Sequence, residues 1–262
     1  MPYIEECIQS ILAQSFQNWR LLILDNRSTD STDSLCSKYL ADRRIEYITN
    51  ATDIGMIPNF NQCLDLCDTK YYAILSHDDM YADARAVEDS LTLLENDPEL
   101  CAVYSHLNWI DGNSQTIARK KFKTMGKVAS DTIAKTSIRT CRNLFGVPLL
   151  VRAAAVKGHK YESAFYFTAD IDFSIAIGQG LYHYVIDRPC YAIRFHASNT
   201  SMRDFSKTRS ELNSIADKHR IKLSVVDSIR MRINDWQTRA GKHLFYLYLD
   251  HFRKFMPACQ QR

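Results

Sequence analysis

The chain lacks any run of 18 apolar residues, any leader of the secretory type and any Cys-x-x-Cys pair. Without such a run no helix is expected to span a bilayer, and without a leader no export is expected. The expectation is therefore a soluble or peripheral protein. The eight cysteines are scattered at 7, 36, 63, 67, 101, 141, 190 and 259. Cys63 and Cys67 stand one helical turn apart, a spacing that suits a helix face better than a metal site. Several of the others sit inside apolar runs, as buried thiols do, and this points to a reducing compartment. No Gly-rich, basic loop opens the chain, which counts against a sugar-phosphate nucleotidyltransferase. No nucleic-acid-binding motif, internal repeat or low-complexity stretch is found.

What is present is an ordinary globular composition, 46% hydrophobic and 24% charged over 262 residues. That length buries one good core, or one core with a helical appendage. The net charge of +3 hides an asymmetry. From Arg203 onward 13 Lys/Arg stand against 6 Asp/Glu, a net of +7, which leaves residues 1–202 at −4. A basic tail on a slightly acidic body suggests an anionic neighbour, either membrane headgroups or an acidic partner.

Helix and strand signals alternate. Ile4, Ile8, Ile11 and Leu12 recur at helical spacing behind Pro2. "RLLILD" (20–25) reads as a strand, followed by a turn rich in capping residues and a helix through Leu35 and Tyr39. "IEYIT" (45–49) is the next strand, Pro58 opens a helix, and Tyr71–Leu75 is a short buried strand. A helix at about 83–95 stops before Pro98, and "CAVYSHLNWI" (101–110) is a strand ended by "DGNS". Helix signals resume near Ser130, and "GVPLLVR" (146–152) is a short apolar run. "TADIDFSIAIGQG" (168–180) is a capped helix with Phe173, Ala176 and Ile177 inward. "YHYVID" and "CYAIRFH" are two strand pieces. This alternation predicts an α/β fold, a mostly parallel sheet with helices on both faces. Beyond Asn199 the character is helical, with one stripe at Val226, Ile229, Ile233 and Trp236 and another at Phe245, Leu249, Phe252 and Phe255. The predicted organisation is a domain over 1–202 and a basic helical extension over 203–262.

Ligands on such sheets bind beyond the carboxyl ends of the strands. Asp25 and the pair Asp78–Asp79 stand at such ends. Adjacent carboxylates repel each other, and a hard divalent cation with oxygen ligands is their natural partner. The plainer alternative is a solvated loop whose Asp83 caps the following helix.

Taken in order, "LLILDNRSTD", "DIGMIPNFNQCL", "LSHDDMY", "TADIDFSIAI" and "YAIRFHASNTS" resemble the motifs of family 2 glycosyltransferases of the GT-A fold. These are the inverting enzymes of bacterial polysaccharide synthesis. The resemblance covers residues 2 to 202 and implies a sugar transferred from a UDP or dTDP donor to a glycan or lipid-linked acceptor. It implies that Asp25 accepts from the base N–H, although a turn or cap role is the alternative reading of that residue. It implies likewise that Asp78 and Asp79 hold Mg²⁺ or Mn²⁺ against the diphosphate. His196, in "RFH", faces the diphosphate or the metal, against the alternative of a packed or solvated histidine. Arg194 pairs with phosphate as a planar fork. An inverting transfer needs a base opposite the leaving group, and Asp170 is the expected one. Asp172 is expected to be a helix N-terminal acid favoured by the dipole. Gly146–Leu150 lies beside the donor sugar or acceptor by the family's order.

The chain departs from the pattern in three places. Ser76 stands where the metal motif has its first acid, so it serves a ribose hydroxyl better than a cation. Ala169 replaces the glutamate before the base. The family's first strand and its Pro-x-x-Asn turn would precede residue 2. A non-catalytic GT-A module acting as a binding or scaffold subunit is the alternative function. The expected location is cytoplasmic, with the tail making peripheral contact with the inner membrane or joining a homodimer.

Overall fold

The computed structural model describes residues 3–141, 143, 146–196 and 207–236. The first half runs α1 (Ile4–Leu12), β1 (Leu21–Asp25), α2 (Thr32–Ser37), β2 (Ile45–Thr49), α3 (Met56–Asp65), β3 (Tyr71–Tyr72), β4 (Met80–Tyr81) and α4 (Ala86–Asn96). Then come β5 (Leu100–Ile110), β6 (Thr116–Lys120), β7 (Gly126–Ala129) and α5 (Ser130–Thr140). β8 (Leu150–Arg152), α6 (Ala153–Val156), a 3₁₀ turn at Ser163–Phe165, α7 (Ala169–Ile177), β9 (Tyr182–Arg194) and α8 (Thr208–Lys218) follow. Residues 225–236 are again helical.

Local chemistry explains where these elements begin and turn. α3 starts two residues before Pro58 because Gly55 takes a φ of 85°, a left-handed turn open to glycine. Pro58 then falls in the first turn, where a missing N–H costs nothing. β5 ends in the expected turn: the Asp111 carboxylate accepts the Asn113 and Gln115 N–H groups at 2.8 and 2.9 Å. The two strand pieces expected at 182–196 form one strand. Its register on β5 shifts around His106, which lies opposite Pro189, so a bulge absorbs the proline without ending the strand. Gly178 closes α7 where any Cβ would collide with the Ser130 hydroxyl and the His183 ring.

The sheet is mixed rather than mostly parallel, a correction to the expectation from element order. A seven-stranded sheet runs β3-β8-β5-β9-β4, with β6 on β5 and β7 on β9. Only β5–β9 in it is parallel. The physical reason is the turn after β5, which folds β6 straight back, and the short return strands β7 and β8. The parallel pair β1–β2 forms a separate two-stranded sheet, and among the described residues no ladder joins the two sheets. The strand expected at Tyr71–Leu75 is laddered only at Tyr71–Tyr72, because β8 offers it two partners and no more.

The main core is β5 and β9, with Ala102, Val103, Tyr104, Leu107, Val185 and Tyr191 buried. A second cluster joins α5, α7 and α8 through Ile138, Ile171, Ile175, Leu212 and Ile215. The helix at 225–236 buries Met231 but turns the expected stripe outward: Val226, Ile229, Ile233 and Trp236 are 50–69% exposed. Phe245, Leu249, Phe252 and Phe255 lie outside the described residues.

Candidate functional site

The amphipathic helix α1 joins the two sheets. Its apolar face, Ile4 and Ile8, packs with Cys36 of α2 and with Leu21 and Ile23 of β1. Its other face is stapled to the segment carrying the paired acids. Ser10 Oγ accepts the Tyr81 N–H at 3.1 Å, and Gln14 Nε2 donates to the Asp83 carbonyl at 3.1 Å. Cys7 Sγ lies 3.6 Å from the Ser76 carbonyl, which also accepts the Asp79 N–H at 3.0 Å. Burial and the two acids push the Cys7 thiol up to about 12, so it stays protonated and unreactive.

Around this staple the fold gathers Asp78, Asp79, Arg194 and His196. His196 Nε2 stands 3.0 Å from Asp78 Oδ2, and both side chains keep some exposure. Asp79 behaves differently. Its carboxylate turns inward, accepting the Arg194 N–H at 3.0 Å and the Tyr191 hydroxyl at 3.2 Å. Burial first, and then the charge of Asp78, raise its carboxyl to about 7. Asp79, expected as a metal ligand, thus has both oxygens engaged at the end of β9.

Arg194 is also unlike the expected phosphate fork. Its guanidinium is wholly buried, with Nη2 2.8 Å from Glu6 Oε2. Nε donates to the Asp78 carbonyl at 2.9 Å. Nη1 donates to the Asp111 carbonyl at 3.0 Å and to Ser114 Oγ at 2.8 Å. The Tyr3 ring covers the guanidinium at 4.3 Å, and its centroid lies 5.2 Å from that of His196. A phosphate would have to displace these partners, so Arg194 supports the pocket from behind.

Asp25 lies on the two-stranded sheet and among the described residues is not hydrogen-bonded to this cluster. Its carboxylate accepts the Ser28 N–H at 3.0 Å and the Tyr47 hydroxyl at 2.8 Å. That is the turn role, and a carboxylate so placed retains a lone pair for a base N–H. Asp83, the alternative capping acid, accepts the Arg85 N–H at 2.8 Å before α4 and pairs with Arg188 at 2.6 Å.

Asp170 sits in the first turn of α7. Protein atoms crowd it, yet the residue remains partly open to solvent. One oxygen accepts from Asn143 Nδ2 and the other from the Ile171 N–H at 2.8 Å. Burial raises its carboxyl above the ordinary carboxylate range, and these bonds only partly oppose that. Asn143 is itself pinned by Gly146, whose N–H and carbonyl meet its amide at 2.9 and 3.0 Å. Asn143, Glu6 and Tyr191 were not legible as site residues, since no local pattern announces a partner far along the chain.

As a metal centre the donor set fits in part. Asp78 and His196 offer one carboxylate oxygen and one imidazole nitrogen side by side, suited to Mg²⁺ or, better, Mn²⁺. Among the described residues no group of three His, Cys, Asp or Glu converges on one point. Remaining positions would fall to diphosphate oxygens and water.

Comparison with known proteins agrees with this architecture. Residues 1–156 match the family described as glycosyl transferase family 2, and the chain belongs to that family. An uncharacterized glycosyltransferase of Haemophilus influenzae is 32% identical over 123 residues, 47% of this chain and 38% of that protein. The Escherichia coli protein named UDP-Glc:alpha-D-GlcNAc-diphosphoundecaprenol beta-1,3-glucosyltransferase WfgD is 30% identical over 42% of this chain and 43% of its own. The chain thus spans less than half the length of these curated relatives. S. aureus TarS 1-349 in complex with UDP-GlcNAc superposes with a TM-score of 0.64 at 15% identity, over 87% of this chain and 65% of that one. The fold is GT-A.

Proposed function

We propose that the chain is an inverting glycosyltransferase of polysaccharide synthesis, moving a sugar from a UDP or dTDP donor to a glycan or lipid-linked acceptor. The observation that carries this reading is the Asp78–His196 contact at 3.0 Å, made across 118 residues in a family 2 fold. The relatives' names support its finer parts. WfgD is named for UDP-Glc and a diphosphoundecaprenol-linked acceptor, and TarS is described with UDP and UDP-GlcNAc.

Asp170 accepts the proton of the acceptor hydroxyl as that oxygen bonds to the anomeric carbon and the bond to the diphosphate breaks. Its raised proton affinity suits it to this step near neutral pH. Asp78 and His196 hold Mg²⁺ or Mn²⁺, which when bound neutralises charge on the departing diphosphate. Asp25 selects the base, and Ser76 faces the ribose. Asp79 and Arg194 keep the Asp78 loop in shape.

Calorimetry of UDP with Mn²⁺ and with EDTA tests this. Mn²⁺ is expected to tighten UDP binding by about tenfold or more, and Asp78→Ala to remove that gain. UDP affinity indifferent to metal would sink the metal role. A non-catalytic binding module is the second reading, favoured by the internal satisfaction of Asp25, Asp79 and Arg194. It predicts UDP binding with no UDP release from UDP-glucose or UDP-N-acetylglucosamine.

The proposed location is cytoplasmic, against the inner membrane. Among the described residues no helix is long and apolar enough to cross a bilayer. Over 207–236 the acids Glu211, Asp227 and Asp235 are buried and Asp217 is exposed, whereas Lys207, Arg209, Arg220, Lys222, Arg230 and Arg232 are exposed, as are Val226, Ile229, Ile233 and Trp236. Such a face complements anionic lipid. Co-sedimentation with anionic vesicles, reversed by salt, is expected. Equal failure with anionic and neutral vesicles would leave this face to a homodimer.

A further inference from the structure

The amino terminus of helix α7 is held by a neighbouring helix. Thr168 occupies the N-cap position, but its side chain does not cap the helix. Its hydroxyl instead donates to Glu211 Oε2 of α8 at 2.9 Å, and the same oxygen accepts the Phe167 N–H at 3.0 Å. Glu211 is 8% exposed, so this carboxylate is committed to α7 rather than to water. A second grip comes from the far end of α8. Asp172, fully buried, lies 2.7 Å from Lys218 Nζ and 2.7 Å from His219 Nε2. Lys218 also reaches Glu162 at 2.7 Å. Between the two grips Leu212 and Ile215 pack on Ile171 and Ile175.

The grips fall two residues before and two residues after Asp170. Two residues are about 200° around a helix, so α8 holds the face opposite to Asp170. It acts there through the backbone, without touching substrate. We propose that Glu211 is a positioning residue for Asp170, tethering the two residues before α7 to a neighbouring helix and so fixing where the Asp170 carboxylate is held. The inference rests on the reading of Asp170 as the base, and it assigns a part of that machinery to the segment beyond residue 202. A buried acceptor that satisfies the donors just before a helix resists their loss, because either donor left alone would be unpaired.

Carboxyl-carbon NMR titration of Asp170, assigned with Asp170→Asn, tests this in wild type, Glu211→Ala and Glu211→Gln. Loosening the turn admits water to Asp170, so Glu211→Ala is expected to lower its midpoint by about half a pH unit or more. UDP release from UDP-N-acetylglucosamine is expected to fall about tenfold with KM unchanged. Glu211→Gln keeps the acceptor oxygen without the charge and should stay near wild type, which separates geometry from electrostatics. A folded Glu211→Ala with an unmoved Asp170 midpoint overturns the proposal. Should that variant not fold, Lys218→Met loosens the second grip. There a midpoint that falls despite the lost positive charge supports the proposal, and one that does not fall overturns it. Asp170→Asn with wild-type turnover would refute the base and leave the titration to judge the tether alone.

Discussion

The two ends of β9 bury titratable groups in opposite ways. At its carboxyl end Asp78, Asp79, Arg194, Glu6 and His196 lean on one another, each charge met by a partner within 3.2 Å. At its amino end His183 lies under Tyr104, whose hydroxyl shares a hydrogen bond with Ser174 of α7. Burial is the single cause acting on His183 and the leading one on Asp170. Mutual pairing holds a shape, and its failure mode is the loss of one member. Burial without a countercharge sets a proton affinity, and its failure mode is a change of pH. Paired charges suit a site for a cation and a diphosphate, and a carboxyl raised chiefly by burial, as at Asp170 on α7, suits a base.

Arg194→Met should break the comparison hardest. It takes the buried donor from the Asp78 and Asp111 carbonyls and from Ser114, and the pair from Glu6, at a summed cost of about 3 kcal/mol or more. Urea unfolding measures this, and a loss under about 1 kcal/mol would mean the network adds little beyond packing.

Asp170→Asn strikes a carboxyl governed chiefly by burial. Turnover is expected to fall about 10²-fold with UDP affinity kept. Steady-state UDP release against calorimetry separates the two, and near-normal turnover would move the base elsewhere.

The smallest effect concerns His183, whose imidazole burial lowers from 6.5 to about 4. The unfolded chain takes up this proton below pH 6.5 and the folded chain resists until about 4. Stability is therefore lost as pH falls through that window. His183→Gln should flatten the profile there, and an unchanged slope would assign the acid sensitivity to other groups.

Part of this was legible beforehand. The strands at 21–25, 45–49 and 100–110 follow from apolar runs bounded by turn residues, and they lie within a residue of expectation. Asp78 and His196 were named from motif order and do meet. Asp79 was named with them but turns inward, because only the packing of β9 supplies Tyr191 and the Arg194 N–H. Arg194 was assigned to phosphate, yet its partner Glu6 lies 188 residues away, beyond any local signal. The stripe at 226–236 has the expected helical period, but period does not say which face finds a neighbour.

The sequence by itself determined the elements, their order and the family, since hydrophobic period, caps and turn residues act over a few neighbours. Tertiary structure alone decided which strands pair antiparallel, which of two adjacent acids faces outward, and that α8 holds the turn bearing Asp170. Apart from the β5–β6 hairpin, those outcomes depend on hydrogen bonds and burial between residues 40 or more positions apart, such as Thr168 with Glu211 and Asp79 with Tyr191. Such contacts exist only once the chain has closed around its core.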